Sequence, residues 1–338
     1  MKPLKYLFIS SMLFVATSCG NSWLDLEPST SVDTETSIKI LSDVEFTLNG
    51  IYSTMQSSDA YSGRLVYYGD VTGDDMQAVS STKRVANYYR FNFTKDDNPS
   101  SHWSYLYSII QNCNLILMNI DKLVIDEGDK AYRDDLKGEA LAIRGLALFD
   151  LTRIFGYPYL KDDGASLGVP IIEGLSTIDS KPTRNTVAQC YTKIIDDLTQ
   201  SLSLLGEKFN KGKINKWGAM VLLSRVYLYK GENANALKMA SDAIIGAEKN
   251  KYALWTNEDY PTAWGEDASA SKPGEVLFEI VNLTTDSPGK ESMGYLNSYD
   301  GYDDMCITCS FYQFLKEDPK DIRLQLLSFD KKYYAYVN

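Results

Sequence analysis

Two stretches of the chain combine aromatic rings with side chains that bind hydroxyl groups. Aromatic faces pack against the C–H faces of sugar rings or against extended peptides, while carboxylate, amide and guanidinium groups bind the polar atoms. The candidate ligand contacts are Asp74, Arg84 and Tyr88 in the first stretch, beside Asp75 and Tyr89, and Trp264, Tyr295, Tyr299 and Tyr302 in the second. Neither stretch carries a sharp motif, so packing or solvation is the alternative interpretation for each residue.

Catalytic chemistry has little support in the sequence. No Ser or Cys nucleophile has an identifiable base partner, and the chain contains no Gly-rich phosphate loop. The Asp and Glu pairs lack a context diagnostic of glycoside hydrolysis. We therefore predict a protein that is not an enzyme and has no cofactor, with a surface glycosidase as the disfavoured alternative.

Two short motifs could hold a metal ion. Asp300, Asp303 and Asp304 offer hard oxygen atoms to calcium, but their spacing does not fit an EF-hand loop, so a solvated acidic turn is favoured over calcium. Cys306 and Cys309 form a single CxxC, without a second CxxC or a His pair to complete four zinc ligands. A local disulfide or two thiols is the expected state of this pair.

Residues 1–18 have the pattern of a bacterial lipoprotein signal peptide. Lys2 and Lys5 form a positive region, and the apolar run after them is shorter than the roughly 20 residues that span a bilayer. Small residues then precede Cys19, which we predict to carry acyl chains that hold the protein to a membrane surface. An ordinary cleaved signal with an incidental Cys is the alternative. Residues 19–34 would form the tether.

The charge of the chain excludes one class of partner. The formal net charge is −11 over 338 residues, and no stripe of Lys and Arg offsets it. A surface this acidic repels phosphate backbones, so nucleic acid is not expected as a partner. The aromatic residues comprise 24 Tyr, 5 Trp and 12 Phe. This excess of Tyr over Phe indicates aromatic surfaces that are partly exposed to solvent.

Helical periodicity dominates the elements that must position these residues. The spacing predicts a helix from near Asp33 to Met55, long loops over 59–100, and a helix that begins near His102. A further helix from Leu136 to Phe155 is apolar almost all round, which is typical of a helix sandwiched between others. Helical spacing places Cys113 and Cys190 among small core residues.

The second half continues with paired helices. Thr186-Val-Ala-Gln189 is a capping box that opens a helix, a second helix runs from after Asn215 to Gly231, and a third covers about 234–247. After residue 250 loops prevail, with one strand candidate, Glu275–Val281. The predicted fold class is mainly α, a tetratricopeptide-like helical repeat scaffold with long ligand-binding loops and a few short strands.

Several ordered motifs together resemble the SusD/RagB family of outer-membrane nutrient-binding lipoproteins. The motifs are Cys19 followed by Trp23-Leu-Asp-Leu-Glu-Pro28, Trp103-Ser-Tyr-Leu-Tyr-Ser-Ile-Ile-Gln-Asn-Cys-Asn114, Glu139-Ala-Leu-Ala-Ile-Arg-Gly-Leu-Ala-Leu-Phe-Asp-Leu-Thr-Arg-Ile-Phe-Gly156, Pro182-Thr-Arg184 and Asp318-Pro-Lys-Asp-Ile-Arg323. Each is weak alone. Their order along nearly the whole mature chain carries the resemblance.

The resemblance implies a lipid-anchored protein at the cell surface, on the outer membrane, which delivers glycan to a TonB-dependent transporter. A peptide ligand, or a protein-binding tetratricopeptide scaffold, is the alternative. Residues 35–338 would form the helical-repeat domain. Family members continue past the Asp-Ile-Arg323 region into further helices, so the resemblance implies that this chain lacks the family's C-terminal helices and leaves apolar surface uncovered.

Overall fold

The computed structural model describes residues 37–94, 100–177, 179–208, 210, 212–264, 274–283, 285–329 and 335–337. The predicted signal peptide, Cys19 and the tether to residue 34 lie outside the described residues. The chain divides into two units, Met1–Lys39 and Ile40–Asn338. All elements below belong to the second unit.

Helices provide most of the regular structure. In the described part of the chain they are α1 Leu41–Met55, α2 Arg64–Thr72, α3 Ala86–Tyr89, α4 Ser100–Asn119, α5 Lys130–Phe155, α6 Val187–Leu204, α7 Lys216–Lys230, α8 Asn233–Lys249, α9 Tyr260–Ala263, α10 Met293–Asn297 and α11 Cys309–Lys316. Short 3-10 helices include Gly289–Glu291 and Ile322–Leu326. The strands are β1 Met76–Ala78, β2 Met305–Ile307, β3 Leu327–Phe329 and β4 Ala335–Val337, paired antiparallel as β1–β2 and β3–β4.

The central helix α5 is buried almost continuously from Gly138 to Thr152. It packs between α4 and α6. A Cβ atom at Gly145 would lie 3.0 Å from Leu198 Cγ of α6, so the glycine permits the close approach of the two helices. The predicted sandwiched helix is therefore confirmed.

Helices α6, α7 and α8 continue the stack through consecutive contacts. The capping box of α6 is present, since Gln189 N donates to Thr186 Oγ1 at 3.2 Å and Thr186 N donates to Gln189 Oε1 at 2.9 Å. Asn215 caps α7, and Gly231 ends it with φ of 83°. The predicted mainly α, tetratricopeptide-like fold class is confirmed.

Three local predictions were wrong. Helix α1 begins at Leu41 and not near Asp33, because Ile40 is extended. Residues 59–100 contain α2, β1 and α3 rather than loops alone. The segment Glu275–Val281 is not a strand.

Side chains of other elements explain the last of these differences. Asn215 Nδ2 donates to the Leu277 carbonyl at 2.6 Å, and Gln56 Nε2 donates to the Val281 carbonyl. The apolar run is therefore held in place by helix-borne amides and not by a neighbouring strand.

Candidate functional site

The pairing of β1 with β2 joins the two stretches that the sequence singles out. Met76 lies opposite Ile307 in this short antiparallel ladder. A buried apolar cluster surrounds this ladder. Its members are Tyr67, Val71, Met76, Val85, Tyr88, Leu296, Met305 and Ile307. Chain segments more than 200 residues apart in sequence are thereby held together.

Arg84 and Tyr302 meet above this cluster. The guanidinium carbon of Arg84 lies 4.0 Å from the centroid of the Tyr302 ring, and the rings of Tyr302 and Tyr295 are edge to face at 5.2 Å. Lys83 Nζ donates to the Tyr302 carbonyl at 2.6 Å. We call Lys83, Arg84, Glu291, Tyr295 and Tyr302 the Arg84–Tyr302 platform.

Two carboxylates fix the guanidinium of this platform. Arg84 Nη1 lies 3.3 Å from Glu291 Oε2, and Arg84 Nε lies 3.9 Å from Asp304 Oδ2. Burial raises the pKa of Asp304, and the nearby Arg84 opposes that shift. One face of the Tyr302 ring is therefore covered by a cation that is itself neutralised.

Trp264 belongs to a different surface. Its ring packs edge to face against Trp255 at 5.2 Å and against Tyr260 at 5.6 Å. The Trp264 side chain is 55% exposed. We call these three residues the aromatic triad. Sequence reasoning missed Trp255 and Tyr260, although three large aromatic residues within residues 255–264 are a usable signal.

The other predicted contacts divide between surface and core. Tyr299 is 48% exposed, two positions before Gly301 in the same turn as Tyr302. Asp74 is exposed, and its carbonyl accepts a hydrogen bond from Thr308 Oγ1 at 2.7 Å. Tyr88 is buried and packs edge to face on Tyr68 at 5.4 Å. Tyr88 is therefore a core residue, and its ring offers almost no surface to a ligand.

A separate cleft of about 740 Å³ lies between α2, α5, α7 and residues 275–278. Three of its polar residues bind one another, since Tyr61 Oη donates to Asp150 Oδ2 at 2.8 Å and Arg153 Nη2 donates to Asp150 Oδ1 at 2.5 Å. Arg225 and Glu275 also line the cleft. The rest is largely aliphatic, with Leu65, Val66, Leu146, Ile154, Val221, Leu222 and Leu277. None of the predicted ligand residues lines it. This cleft therefore differs from the two aromatic surfaces in having a mainly aliphatic lining.

The acidic turn does not gather a metal site. Asp303 Oδ2 lies 3.6 Å from Lys83 Nζ, and Asp304 Oδ2 lies 3.9 Å from Arg84 Nε, so each of these two carboxylates faces a cation. Among the residues that the structure describes, no group of three or more His, Cys, Asp or Glu side chains could hold a metal ion. Cys306 is buried in β2 whereas Cys309 is exposed at the start of α11, and no disulfide joins them.

The most polar motif residues of the helices form a buried scaffold. Arg144 binds Asp197 through two hydrogen bonds of 2.8 and 2.7 Å and donates to Asn114 Oδ1 at 2.8 Å. Asn114 Nδ2 in turn donates to the Ile172 carbonyl at 2.7 Å. This network ties α4, α5 and α6 to the connection after α5, so these residues hold the fold.

His102 lies in the first turn of α4, as predicted, and is fully buried. Within the described part of the chain, neither ring nitrogen has a hydrogen-bond partner. Burial lowers the pKa of His102 to about 4, so the ring is neutral at pH 7. Cys113 and Cys190 are buried, as predicted for core residues.

Comparisons with known proteins agree with this architecture. The sequence profile of the SusD-like family, described as starch-binding and associating with the outer membrane, matches residues 22–228. A SusD-like protein from Formosa agariphila, named P2, is 28% identical over 311 residues, which cover 89% of this chain and 57% of that protein. The chain thus spans about half the length of the curated relatives it matches.

Two solved structures from Bacteroides vulgatus ATCC 8482 are similar to the chain. One is a protein for which sugar binding has been proposed; it is 82% identical, has a TM-score of 0.88, and the match covers 90% of this chain and 68% of that one. The other is a SusD superfamily protein that is 36% identical, with a TM-score of 0.82 over 89% of this chain and 68% of that one. Over the described residues of the present chain, no helix has both the length and the hydrophobicity to cross a bilayer.

Proposed function

The chain belongs to the SusD-like family, and on this premise we propose that it is a lipoprotein of the cell surface. We propose that it binds glycan and has no catalytic activity. In this role it captures oligosaccharide or polysaccharide outside the outer membrane. It then passes the glycan to a TonB-dependent transporter. The family description and the proposed sugar binding of the relative that is 82% identical support the ligand class.

The exposed aromatic triad is the observation on which the proposal rests. A group of large aromatic rings at the surface is a candidate contact area, because Trp has a large apolar surface. Trp264 is 55% exposed, and the rings of Trp255 and Tyr260 pack edge to face against it. A preorganised aromatic face loses little conformational entropy when a sugar ring stacks on it.

The Arg84–Tyr302 platform supplies a second surface of the same kind. Tyr302 and Tyr295 provide aromatic area, and Glu291 carries an exposed carboxylate that can accept hydrogen bonds from sugar hydroxyls. A peptide could also rest on these rings. Glycan is favoured because the polar groups here are side-chain carboxylates beside aromatic faces.

Affinity electrophoresis tests the ligand class. The purified protein should be retarded in gels that contain one of a panel of polysaccharides such as starch, laminarin, xylan or galactomannan. Bovine serum albumin is the control for non-specific retardation. Retardation by none of the glycans, together with calorimetric binding of casein peptides, would overturn the glycan proposal in favour of a peptide ligand.

The anchor and the partner need separate experiments. Palmitate labelling of the expressed full chain should be lost in Cys19→Ala, since the acyl chains attach at that thiol. An outer-membrane receptor of β-barrel type should co-purify with the tagged wild-type protein. Unchanged labelling in the variant would contradict lipidation at Cys19, and recovery of a soluble protein partner alone would favour a tetratricopeptide-type scaffold.

A further inference from the structure

A buried histidine joins the start of α4 to α2. His102 lies in the first turn of α4 and is 0% exposed, and its ring packs edge to face on Tyr68 of α2, with 5.7 Å between the ring centroids. A neutral imidazole can donate one hydrogen bond and accept another. Within the described part of the chain, however, both ring nitrogens of His102 lack a partner. The ring therefore contributes to this contact by packing and not by hydrogen bonds.

The groups that face His102 are poorly suited to a charged ring. Arg64 opens α2, and its Nη1 lies 2.6 Å from Asp59 Oδ1, so these two charges neutralise each other. Tyr68 stays uncharged, because burial raises its pKa. The first turn of α4 carries no acidic side chain, and the N-terminus of a helix disfavours a cation. An imidazolium at this position would be a buried cation that faces a neutralised ion pair.

Proton uptake by His102 is therefore linked to opening of this contact. Burial lowers the pKa of the ring from 6.5 to about 4; Asp59 opposes this shift, and Arg64 adds to it. The closed state binds the proton more weakly than an open state in which water reaches the ring. Stability from the neutral ring is present above pH 6.5 and is lost as the pH falls toward 4.

Tyr68 also connects this contact with the buried cluster around β1 and β2. Its ring packs edge to face on Tyr88 at 5.4 Å. Tyr88 is a member of that cluster, as are Tyr67 and Val71, which lie on α2 with Tyr68. A displacement of α2 would remove the Tyr67 and Val71 side chains from the apolar support of the β1–β2 ladder. The ladder in turn holds together the two stretches that form the Arg84–Tyr302 platform.

The position of His102 makes the fold sensitive to acid at one place. We propose that protonation of His102 opens the contact between α2 and α4 and loosens α2, while helices α5 to α8 remain packed. The chain has one histidine among its 338 residues, so no second imidazole takes part in the response. The response needs no ligand and is separate from the proposed glycan binding.

Hydrogen exchange followed by mass spectrometry tests the opening, with His102→Phe as the variant. Phenylalanine can keep the packing on Tyr68 but takes up no proton. The two pKa values of His102, about 4 when closed and 6.5 when open, predict that the open population in wild type rises about 30-fold between pH 8 and pH 5. The ratio of wild-type to variant exchange rates in Arg64–Thr72 should therefore rise about 30-fold over this range.

Helix α8 is the internal control. The two proteins are compared at the same pH, so the intrinsic exchange chemistry cancels in the ratio, as does Glu139, whose pKa is shifted in the opposite direction. The ratio for Asn233–Lys249 should stay constant between pH 8 and pH 5. A constant ratio in α2 would overturn the proposal. An equal rise in α8 would also overturn it, because that result indicates global unfolding.

Nuclear magnetic resonance of the wild-type protein is a second test, which does not depend on the folding of the variant. In the tag-free protein the single histidine gives one set of imidazole C–H signals, and their pH titration reports on this ring directly. We expect a midpoint below 6.5, the ordinary value for histidine. A midpoint at or above 6.5 would overturn the proposal, because protonation would then stabilise the closed contact.

Discussion

Trp264 and Tyr157 differ in what surrounds their rings. Tyr157 is exposed to the same extent, 55%, but Lys161 Nζ lies 3.3 Å from the centroid of its ring and covers one face. The partners of Trp264 are the rings of Trp255 and Tyr260, which hold it edge to face. The two residues therefore form a matched pair, in which only Trp264 belongs to the proposed ligand surface.

Substitution of a ring in the aromatic triad or in the Arg84–Tyr302 platform should weaken glycan binding. We expect Trp264→Ala and Tyr302→Ala each to raise the Kd for the bound polysaccharide about tenfold or more, or about 1.4 kcal/mol, because a stacking face is lost. Tyr157→Ala should leave the Kd unchanged. Isothermal titration calorimetry measures these values, with circular dichroism as the check of folding. A loss in Tyr157→Ala equal to that in Trp264→Ala would contradict the assignment.

Glu139 gives the fold a dependence on pH. The residue is buried in α5, where Tyr52 Oη donates to its Oε2 at 2.9 Å. Burial raises the pKa of Glu139 to about 7, while Lys213 and the Tyr52 hydrogen bond oppose the shift. The folded state therefore holds this proton more tightly than the unfolded state does. Stability from this group is present below the unfolded pKa of 4.5 and is lost as the pH rises to about 7.

Replacement by an uncharged isostere should remove that loss. Glu139→Gln keeps an oxygen that accepts the Tyr52 hydrogen bond, so the variant should match wild type near pH 4.5. Above pH 7 it should be more stable, by up to about 3 kcal/mol in the free energy of unfolding. Urea unfolding between pH 4.5 and 8 measures the difference. The control is Glu127→Gln, whose side chain is 85% exposed; the same pH trend there would contradict the argument.

At the scale of elements, the helix stack depends on one buried ion pair. Arg144 and Asp197 have side chains that are 9% and 0% exposed, and Lys193 Nζ lies 3.2 Å from the same Asp197 carboxylate. A buried pair adds little stability over apolar residues of the same size, but the removal of one partner leaves a charge in a poorly solvated site. The pair therefore joins α5 to α6 at a site where the loss of either partner is costly.

Asp197→Ala should destabilise the protein by roughly 3–5 kcal/mol, because the Arg144 guanidinium loses its two hydrogen bonds. The double variant Arg144→Met with Asp197→Leu should recover much of this loss. Asp242→Ala is the matched control, since it breaks the exposed pair with Lys238 and should cost less than about 0.5 kcal/mol. Chemical denaturation gives the three values. Equal costs for Asp197→Ala and Asp242→Ala would refute the buried role.

Elements with local signals could be predicted from the sequence, and those without could not. The capping box at Thr186 and the left-handed Gly231 specify helix ends within a few residues. Helix α2 has no such signal; its buried Tyr67 and Val71 pack against residues from the distant segment around β2. The run Glu275–Val281 has strand-like composition, but the amide side chains of Gln56, which follows α1, and of Asn215, the cap of α7, bind its carbonyls.

In the candidate site too, contacts that depend on distant parts of the chain could not be predicted from the sequence. Composition identified Arg84 and Tyr302 separately, but their contact depends on the pairing of β1 with β2, which no local pattern specifies. Tyr88 resembles a surface residue in sequence because it stands beside an exposed Tyr89 in a polar stretch. Its burial is decided by Tyr67, Tyr68 and Phe93, which pack around it in the fold.

At the scale of the whole molecule, the described residues form two kinds of candidate ligand site. The aromatic triad and the Arg84–Tyr302 platform offer aromatic rings, whereas the 740 Å³ cleft has mainly aliphatic walls with Asp150, Arg153 and Arg225 among its charged groups. We assign the glycan to the aromatic surfaces.

A crystal structure of the protein with an oligosaccharide of the bound polysaccharide tests this assignment most directly. We predict a sugar ring stacked on Trp264 or on Tyr302, with a hydroxyl group donating to a neighbouring carboxylate such as Glu291. An oligosaccharide bound in the cleft beside Leu65 and Val221, with both aromatic surfaces unoccupied, would contradict it.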